Sequence, residues 1–313
     1  LAGTAYGDIN SGFAVDNTGT LGAGAFVVTN GAANRFPATA STNPVPATGL
    51  SAAEVTQIIN SAIGVANQAR AQIRRPLNSP AQVTVSVVDL DGTVLGMART
   101  PDAPIFGADV SLQKARTAAF FSSANAGTTI NGRPNVTYLL AGPTITLSSY
   151  VSASTAFGST AFTGSVGNTG DIAFSARAIG NIARPLFPDG INGTGNGPLS
   201  KSTIAPNNFW SPFNTGLQLD LVYNALTFAI LNPTDGNDDC SASPATATPG
   251  VGRIQNGIQI FPGAVPIYRG STLIGAIGVS GDGVDQDDMT AFLGLERAST
   301  ALGGSFGNAP PSI

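Results

Sequence analysis

The sequence predicts an α+β fold: a central antiparallel β-sheet flanked by helices and interrupted by a long insertion of loops and short strands. Three observations carry this. The segments 83–99 and 257–281 each read as two strands joined by a tight turn, and tight turns join antiparallel neighbours. Helical apolar spacing precedes the first hairpin and follows each of them. Between the hairpins, residues 122–252 change texture to Gly, Ser, Thr, Asn and Pro, so the sheet is split in sequence by an insertion.

Each element has a local reason. Ser51 followed by Glu54 is a reciprocal capping box, and Leu50 and Val55 stand where a hydrophobic staple would be. Val55, Ile58, Ile59, Ala62, Ile63, Ala66, Ala69 and Ile73 then form one apolar stripe, predicting a helix that ends before Pro76, with Arg70, Arg74 and Arg75 in its last turns against the negative end of the dipole. Val83, Val85 and Val87 alternate with Thr84 and Ser86 in a half-buried strand. Asp91-Gly92 predicts a two-residue turn, with Thr93–Arg99 as the return strand.

A second helix is predicted from Asp109 through Phe121, with Val110, Ala115, Ala118, Ala119 and Phe120 inward. Within the insertion only Leu217–Leu231 has the length of a longer regular element. The last unit is Val265–Tyr268, an Arg269-Gly270 turn, Leu273–Val279 and a closing helix. In that helix Asp285 is the expected cap, Met289, Phe292, Leu293 and Ala298 line one face, and Gly303 follows the end. The domain layout is therefore an N-terminal Gly/Thr/Pro-rich arm at 1–48, a domain made of 49–121 plus 253–303, the insertion at 122–252 and a tail at 304–313. In the arm, the short run Ala25–Thr29 reads as loosely packed or as a strand for a neighbouring subunit.

Composition narrows the function. With 313 residues and 42% hydrophobic content a core is assured. Only 10% of residues are charged, against about 25% in an average globular domain, which fits a secreted, periplasmic or cell-surface protein. The start at Leu1 suggests that a leader was removed. A net charge of −4 without a Lys/Arg run argues against nucleic acid, and no stretch has the apolar length of a transmembrane helix. The absence of histidine rules out Ser-His-Asp and Cys-His triads and His-based zinc sites. The single Cys240 cannot form an intrachain disulfide.

Ser111-Leu-Gln-Lys114 has the spacing in which a lysine could take a serine proton, but the companion Lys-Thr-Gly and Ser-Asp-Asn elements are missing. Acid/base work by Lys114 with Asp102 or Asp109, or by Asp89 and Asp91, lacks a readable pair, so enzyme activity is left open, leaning towards none. Asp235, Asn237 and Asp239 alternate as at the start of a calcium loop. Cys240 stands where its glycine belongs and Thr246 where its glutamate belongs, so a solvated acidic turn is the better reading. Asn208–Phe213, with the single Trp, reads as a satellite core or an interface anchor. Asn135-Val-Thr137 and Asn192-Gly-Thr194 match glycosylation sequons.

Taken in order, Leu50-Ser-Ala-Ala-Glu54, Val87-Val-Asp-Leu-Asp-Gly92, Ser111-Leu-Gln-Lys-Ala-Arg-Thr-Ala118, and Gly263-Ala-Val-Pro-Ile-Tyr-Arg-Gly270 running into Gly275-Ala-Ile-Gly-Val-Ser-Gly281 with Gln286-Asp287 after it resemble the GlcG/HbpS-like haem-binding family. The resemblance implies a profilin-like layout, homo-oligomers and a small-molecule ligand, with haem a possible cofactor. Its ligand pocket lies between the Lys/Thr-bearing helix and the Gly-Val-Pro hairpin, here Pro101, Phe106, Ser111, Lys114, Thr117, Val265, Pro266 and Ser280. Without histidine, iron ligation would fall to Met97, Met289, Cys240, a tyrosine or Thr117. The expectation is an exported ligand-binding module. The alternative is a non-catalytic surface-assembly protein that keeps the fold without the ligand chemistry.

Overall fold

The computed structural model describes residues 11–139, 144–155, 172–187, 195–200, 216–231 and 256–313, less positions 23, 32 and 46, together with Ile191 and Ile254. The Asn208–Phe213 aromatics, Asn192-Gly-Thr194, Cys240 and the Asp235, Asn237, Asp239 triplet lie outside the described residues.

Helix α1 runs Ala52–Gln68 and its capping box is complete: Glu54 N donates to Ser51 Oγ at 3.2 Å while Ser51 N donates to the Glu54 carboxylate at 2.8 Å. Leu50 and Val55 are fully buried, as a staple requires. The helix ends before the predicted stop. Ala69 is extended, and the carbonyls of Val65 and Ala66 are satisfied by the amides of Ala69 and Ala81. Ile73 is therefore exposed, and Arg70, Arg74 and Arg75 lie in the loop beyond the helix, not in its last turn.

Strands β1 (Phe13–Val15), β2 (Phe26–Asn30) and β3 (Ala33–Asn34) come from the N-terminal segment. β2 pairs with β5 (Val94–Arg99) of its own chain at Phe26↔Arg99, so the run read as an arm strand extends the sheet of its own subunit. With β4 (Thr84–Val88), β8 (Ala264–Arg269) and β9 (Thr272–Ser280), the order is β1-β2-β5-β4-β9-β8, with β3 on β2 and every pairing antiparallel. The first hairpin closes through a three-residue loop, Leu90-Asp91-Gly92, rather than the expected two. Gly92 is left-handed at φ 71°, and the Asp89 carboxylate accepts from the amides of Asp91 and Thr93, each at 3.0 Å.

All of β4 is buried, Thr84 and Ser86 included, because both faces of the sheet are covered. On one face α1 packs beside α7 (Val284–Ala301) over Val83, Val85, Val87, Ile267, Ile277 and Val279. On the other lies α2 (Gly107–Phe121), over Val88, Ala264 and Ala276. The face of α7 differs from expectation: Ala291, Leu295 and Ala298 point inward, whereas Met289, Phe292 and Leu293 are exposed. Small residues allow the close α1–α7 approach, which turns the bulky positions outward. The α7 N-cap is Gly283, with Asp285 and Asp287 in the first turn. The tail returns to the sheet through mutual 2.8 Å hydrogen bonds between Tyr268 and Gly307.

The insertion is more helical than predicted. Among the described residues it contains α3 (Ala126–Asn131), α4 (Ser148–Thr155), α5 (Ala176–Ile182) and α6 (Leu217–Leu231), with only a two-residue ladder between β6 (Val136–Thr137) and β7 (Thr144–Ile145). These elements share a second core with the end of α2, built on Phe120, Phe121, Ile130, Tyr150, Ile179 and Leu217.

Candidate functional site

The chemistry-bearing face of α2 is set by its contact with β9. Gly278 lets the helix backbone touch the strand, since a Cβ there would stand 2.1 Å from the Ser111 carbonyl oxygen. That contact aims Ser111, Lys114 and Thr117 into buried surroundings. The Ser111 hydroxyl meets that of Ser86 at 2.7 Å. Lys114, 2% exposed, donates from Nζ to Asp287 Oδ2 at 2.9 Å and to the Val279 carbonyl at 3.0 Å. Asp287 also accepts from the amides of Asp282 at 3.1 Å and Gly281 at 3.4 Å.

The pair is ionic but desolvated on both sides. Burial pushes the Lys114 ammonium below its ordinary range, opposed by the Asp287 charge. Burial pushes the Asp287 carboxyl up, opposed by Lys114 and its amide donors. The carboxylate partner of Lys114 is thus Asp287, not the Asp102 or Asp109 suggested by proximity in sequence.

The outer side of α2 is closed by the chain's own return from the insertion. Thr117 Oγ1 donates to the Gln113 carbonyl at 2.7 Å and accepts from Gln259 N at 2.8 Å. Gln113 Nε2 donates to the Asn256 carbonyl, and Gln259 Nε2 donates to Gln113 Oε1 at 3.0 Å. Arg116 reaches the carbonyl of Gly92 and Asn256 Oδ1, both at 2.8 Å.

Of the residues expected around a pocket, Ser111, Lys114 and Thr117 therefore stand together on α2. Ser280 lies buried at the end of β9. Pro266 pairs with Ala276 and so shares the α2 face, whereas Val265 packs in the opposite core with α1. Pro101 and Phe106 are exposed on the loop into α2. Asp287, Gln113, Asn256 and Gln259 were not anticipated. Asp287 looked like a helix-terminal acid, and nothing in the sequence ties it to a lysine 173 positions away.

A separate cleft of about 370 Å³ opens beside the first turns of α1, with Asp16, Leu21, Phe36, Ala53, Ile59 and Met97 among its walls. In the insertion, the hydroxyls of Tyr138 and Tyr150 both donate to the buried Asp220 carboxylate. Burial, together with the Asp220 charge, raises Tyr150 far above the ordinary phenol range. Among the described residues no group of three His, Cys, Asp or Glu could hold a metal, and no helix is long and apolar enough to cross a membrane.

A five-strand antiparallel core from β2 to β8, covered by two helices on one face and one on the other, defines an α+β domain. The family described as haem degrading protein HbpS-like matches residues 59–166 and 223–296, more than half of the chain, and the chain belongs to it. Two solved structures are similar. One, titled a PduOC:heme complex, is 15% identical with a TM-score of 0.35, covering 84% of this chain and 99% of that one. The other, the Klebsiella pneumoniae protein ORFY of the DUF336 family, is 17% identical with a TM-score of 0.37, covering 80% and 92%. No curated protein matches the sequence.

The α2 face does not fit a haem held through its iron. The chain has no histidine, Lys114 is locked to Asp287, the Thr117 hydroxyl is spent on Gln113 and Gln259, and Met97 is buried.

Proposed function

We propose that the chain is an exported small-ligand-binding module of the HbpS-like type that acts as a homo-oligomer and takes haem or another flat tetrapyrrole by packing and hydrogen bonding, without an axial protein ligand. Membership of the family carries this reading. Pro101 and Phe106 offer an open apolar rim next to the α2 face, and Lys114 is the cation beneath it, available to a ligand only by giving up Asp287. The exposed Met289, Phe292 and Leu293 stripe on α7 supports self-association, and the sparse charge supports export.

The test is a pair of titrations, by absorbance and by quenching of intrinsic fluorescence, with haem and with metal-free protoporphyrin. Packing without iron ligation predicts affinities within about tenfold of each other. Much tighter binding of haem overturns the mode of recognition, and failure of both overturns the ligand reading. The second reading, an extracellular assembly protein without ligand chemistry, is favoured by the closure of the α2 face. It predicts that neither porphyrin binds, while Phe292→Ser lowers the mass seen in sedimentation.

A further inference from the structure

The end of the sheet where β4 begins and β5 and β9 finish is built from two loops. Residues 70–82 lead from α1 into β4, and residues 99–107 lead from β5 into α2. Both backbones are held around the β9 exit. The amides of Gln72 and Gln82 donate to the Asp282 carboxylate at 3.0 and 3.3 Å, the Arg74 side chain donates to the Gly281 carbonyl, and Gly107 lies against the Ser280 carbonyl, where a Cβ would come within 2.7 Å.

The outer side chains of these fixed loops project into water. Ile73, Leu77, Ile105 and Phe106 are 61%, 62%, 70% and 60% exposed, more than any exposed residue of the α7 stripe, where Phe292 reaches 48%. The same loops carry Arg70, Arg74 and Arg75 against one acid, Asp102, and Arg74 pairs with Asp282 at the β9 exit, which leaves Arg70 and Arg75 as the outward cations in a chain with 14 basic and 18 acidic residues. Arg70 and Arg75 are exposed and form no ion pair among the described residues.

We propose that this end of the domain docks on an anionic lipid surface, with Ile73, Leu77, Ile105 and Phe106 entering the boundary between headgroups and acyl chains and Arg70 and Arg75 staying among the headgroup phosphates. The chemistry matches in both parts. Apolar tips gain by leaving water and arginines gain from a negative surface, and reversible interfacial binding needs both. Side chains this exposed have neighbours on one side only, which suits insertion into a fluid layer better than seating on a rigid protein. The local excess of arginine on an acidic chain selects an anionic layer. This inference shares Phe106 with the ligand reading but does not rest on it, and vesicle binding and porphyrin titration report on the two separately.

Co-sedimentation of the full chain with phosphatidylcholine vesicles, with and without phosphatidylglycerol, tests it. Binding is expected to the anionic vesicles and to weaken with added salt. Ile105→Ser/Phe106→Ser and, separately, Arg70→Gln/Arg75→Gln are each expected to lower the partition coefficient roughly tenfold or more. Ile230→Ser, exposed on α6, should leave it unchanged. Unchanged thermal melting shows that the variants fold, and the single Ile105→Ser serves if the double variant does not. Wild-type protein that ignores anionic vesicles, variants that bind like wild type, or an Ile105→Ser/Phe106→Ser variant whose only change is a smaller sedimenting mass would each overturn the proposal, the last by assigning the surface to a second copy of the chain.

Discussion

Replacing Lys114 with Met tests whether the α2–α7 connection rests on a buried ion pair. The lysine is 2% exposed and lies 2.9 Å from Asp287, itself buried. Removing the cation leaves a carboxylate with only the two amides of Gly281 and Asp282. Breaking one side of a buried pair costs about 3–5 kcal/mol. With a urea slope of about 2–3 kcal/mol/M, the denaturation midpoint falls by roughly 1–2.5 M.

The pH dependence has a definite sign. Asp287 already sits above its ordinary value of 3.8 because of burial, with Lys114 pulling it down, so losing the lysine raises it further. A carboxyl whose folded pKa is raised favours the fold when protonated, a contribution complete below the unfolded pKa and lost as pH rises through the folded one. The Lys114→Met defect should therefore shrink on acidification towards pH 4 and be largest near neutrality. Lys114→Met/Asp287→Leu should recover most of the loss in a double-mutant cycle. A Lys114→Met cost below about 1 kcal/mol, or two additive single effects, would refute the buried-pair account.

Other consequences follow from single positions. Gly278→Ala places a methyl 2.1 Å from the Ser111 carbonyl oxygen and 2.6 Å from the Ala115 nitrogen, and is expected to cost about 1–3 kcal/mol or more in thermal unfolding. Gly64→Ala in α1 meets nothing within 4 Å and should raise stability by about 0.5–1 kcal/mol. Burial raises Glu54, but the Ser51 amide, Arg269 and the Ser51 hydroxyl outweigh it and hold the carboxyl below its ordinary 4.5. Its stabilisation is thus present above that value and lost as pH falls through the lower folded one. An acid scan should show Glu54→Gln less acid-sensitive than wild type, by under about 1 kcal/mol after solvent screening. Tyr150→Phe withdraws one donor from the buried Asp220 and should lower stability by about 1.5–3 kcal/mol, read by chemical denaturation.

What could be read from the sequence was local, and what could not was mostly a contact between distant segments. Ser51 and Glu54 state the start of α1 without outside help, and the bounds of α6 follow from a largely apolar run interrupted by Gln218, Asp220 and Asn224. The end of α1 is settled instead by Ala81, whose amide caps the carbonyl of Ala66 from further along the chain, so the stripe through Ile73 was misleading. The turning of α7 is equally non-local. Met289, Phe292 and Leu293 have the right spacing for a buried face, but the close packing against α1 selects Ala291, Leu295 and Ala298. The shorter helices of the insertion, α3, α4 and α5, escaped notice because their Ala, Gly, Ser and Thr residues show little periodic contrast and gain their stability from a core shared with Phe120 and Phe121. At the candidate site Lys114 and Thr117 stood out, but their partners Asp287 and Gln259 come from segments separated by the whole insertion.

The return leg of the insertion shapes what the α2 face can do. Asn256 and Gln259 between them answer Gln113, Arg116 and Thr117, so the polar groups that could have faced a ligand are used to recognise the chain itself. Lifting that leg would orphan several buried donors and acceptors, each at about 1–3 kcal/mol, a sum that a small ligand must exceed before it gains anything. Lys114 adds the cost of separating a desolvated pair. A ligand for this chain is therefore cheapest where no internal bond has to be broken, along the open Pro101 and Phe106 rim, and recognition there rests on shape and apolar contact. If the ligand is a porphyrin, as proposed, that arrangement makes its binding indifferent to the metal inside it.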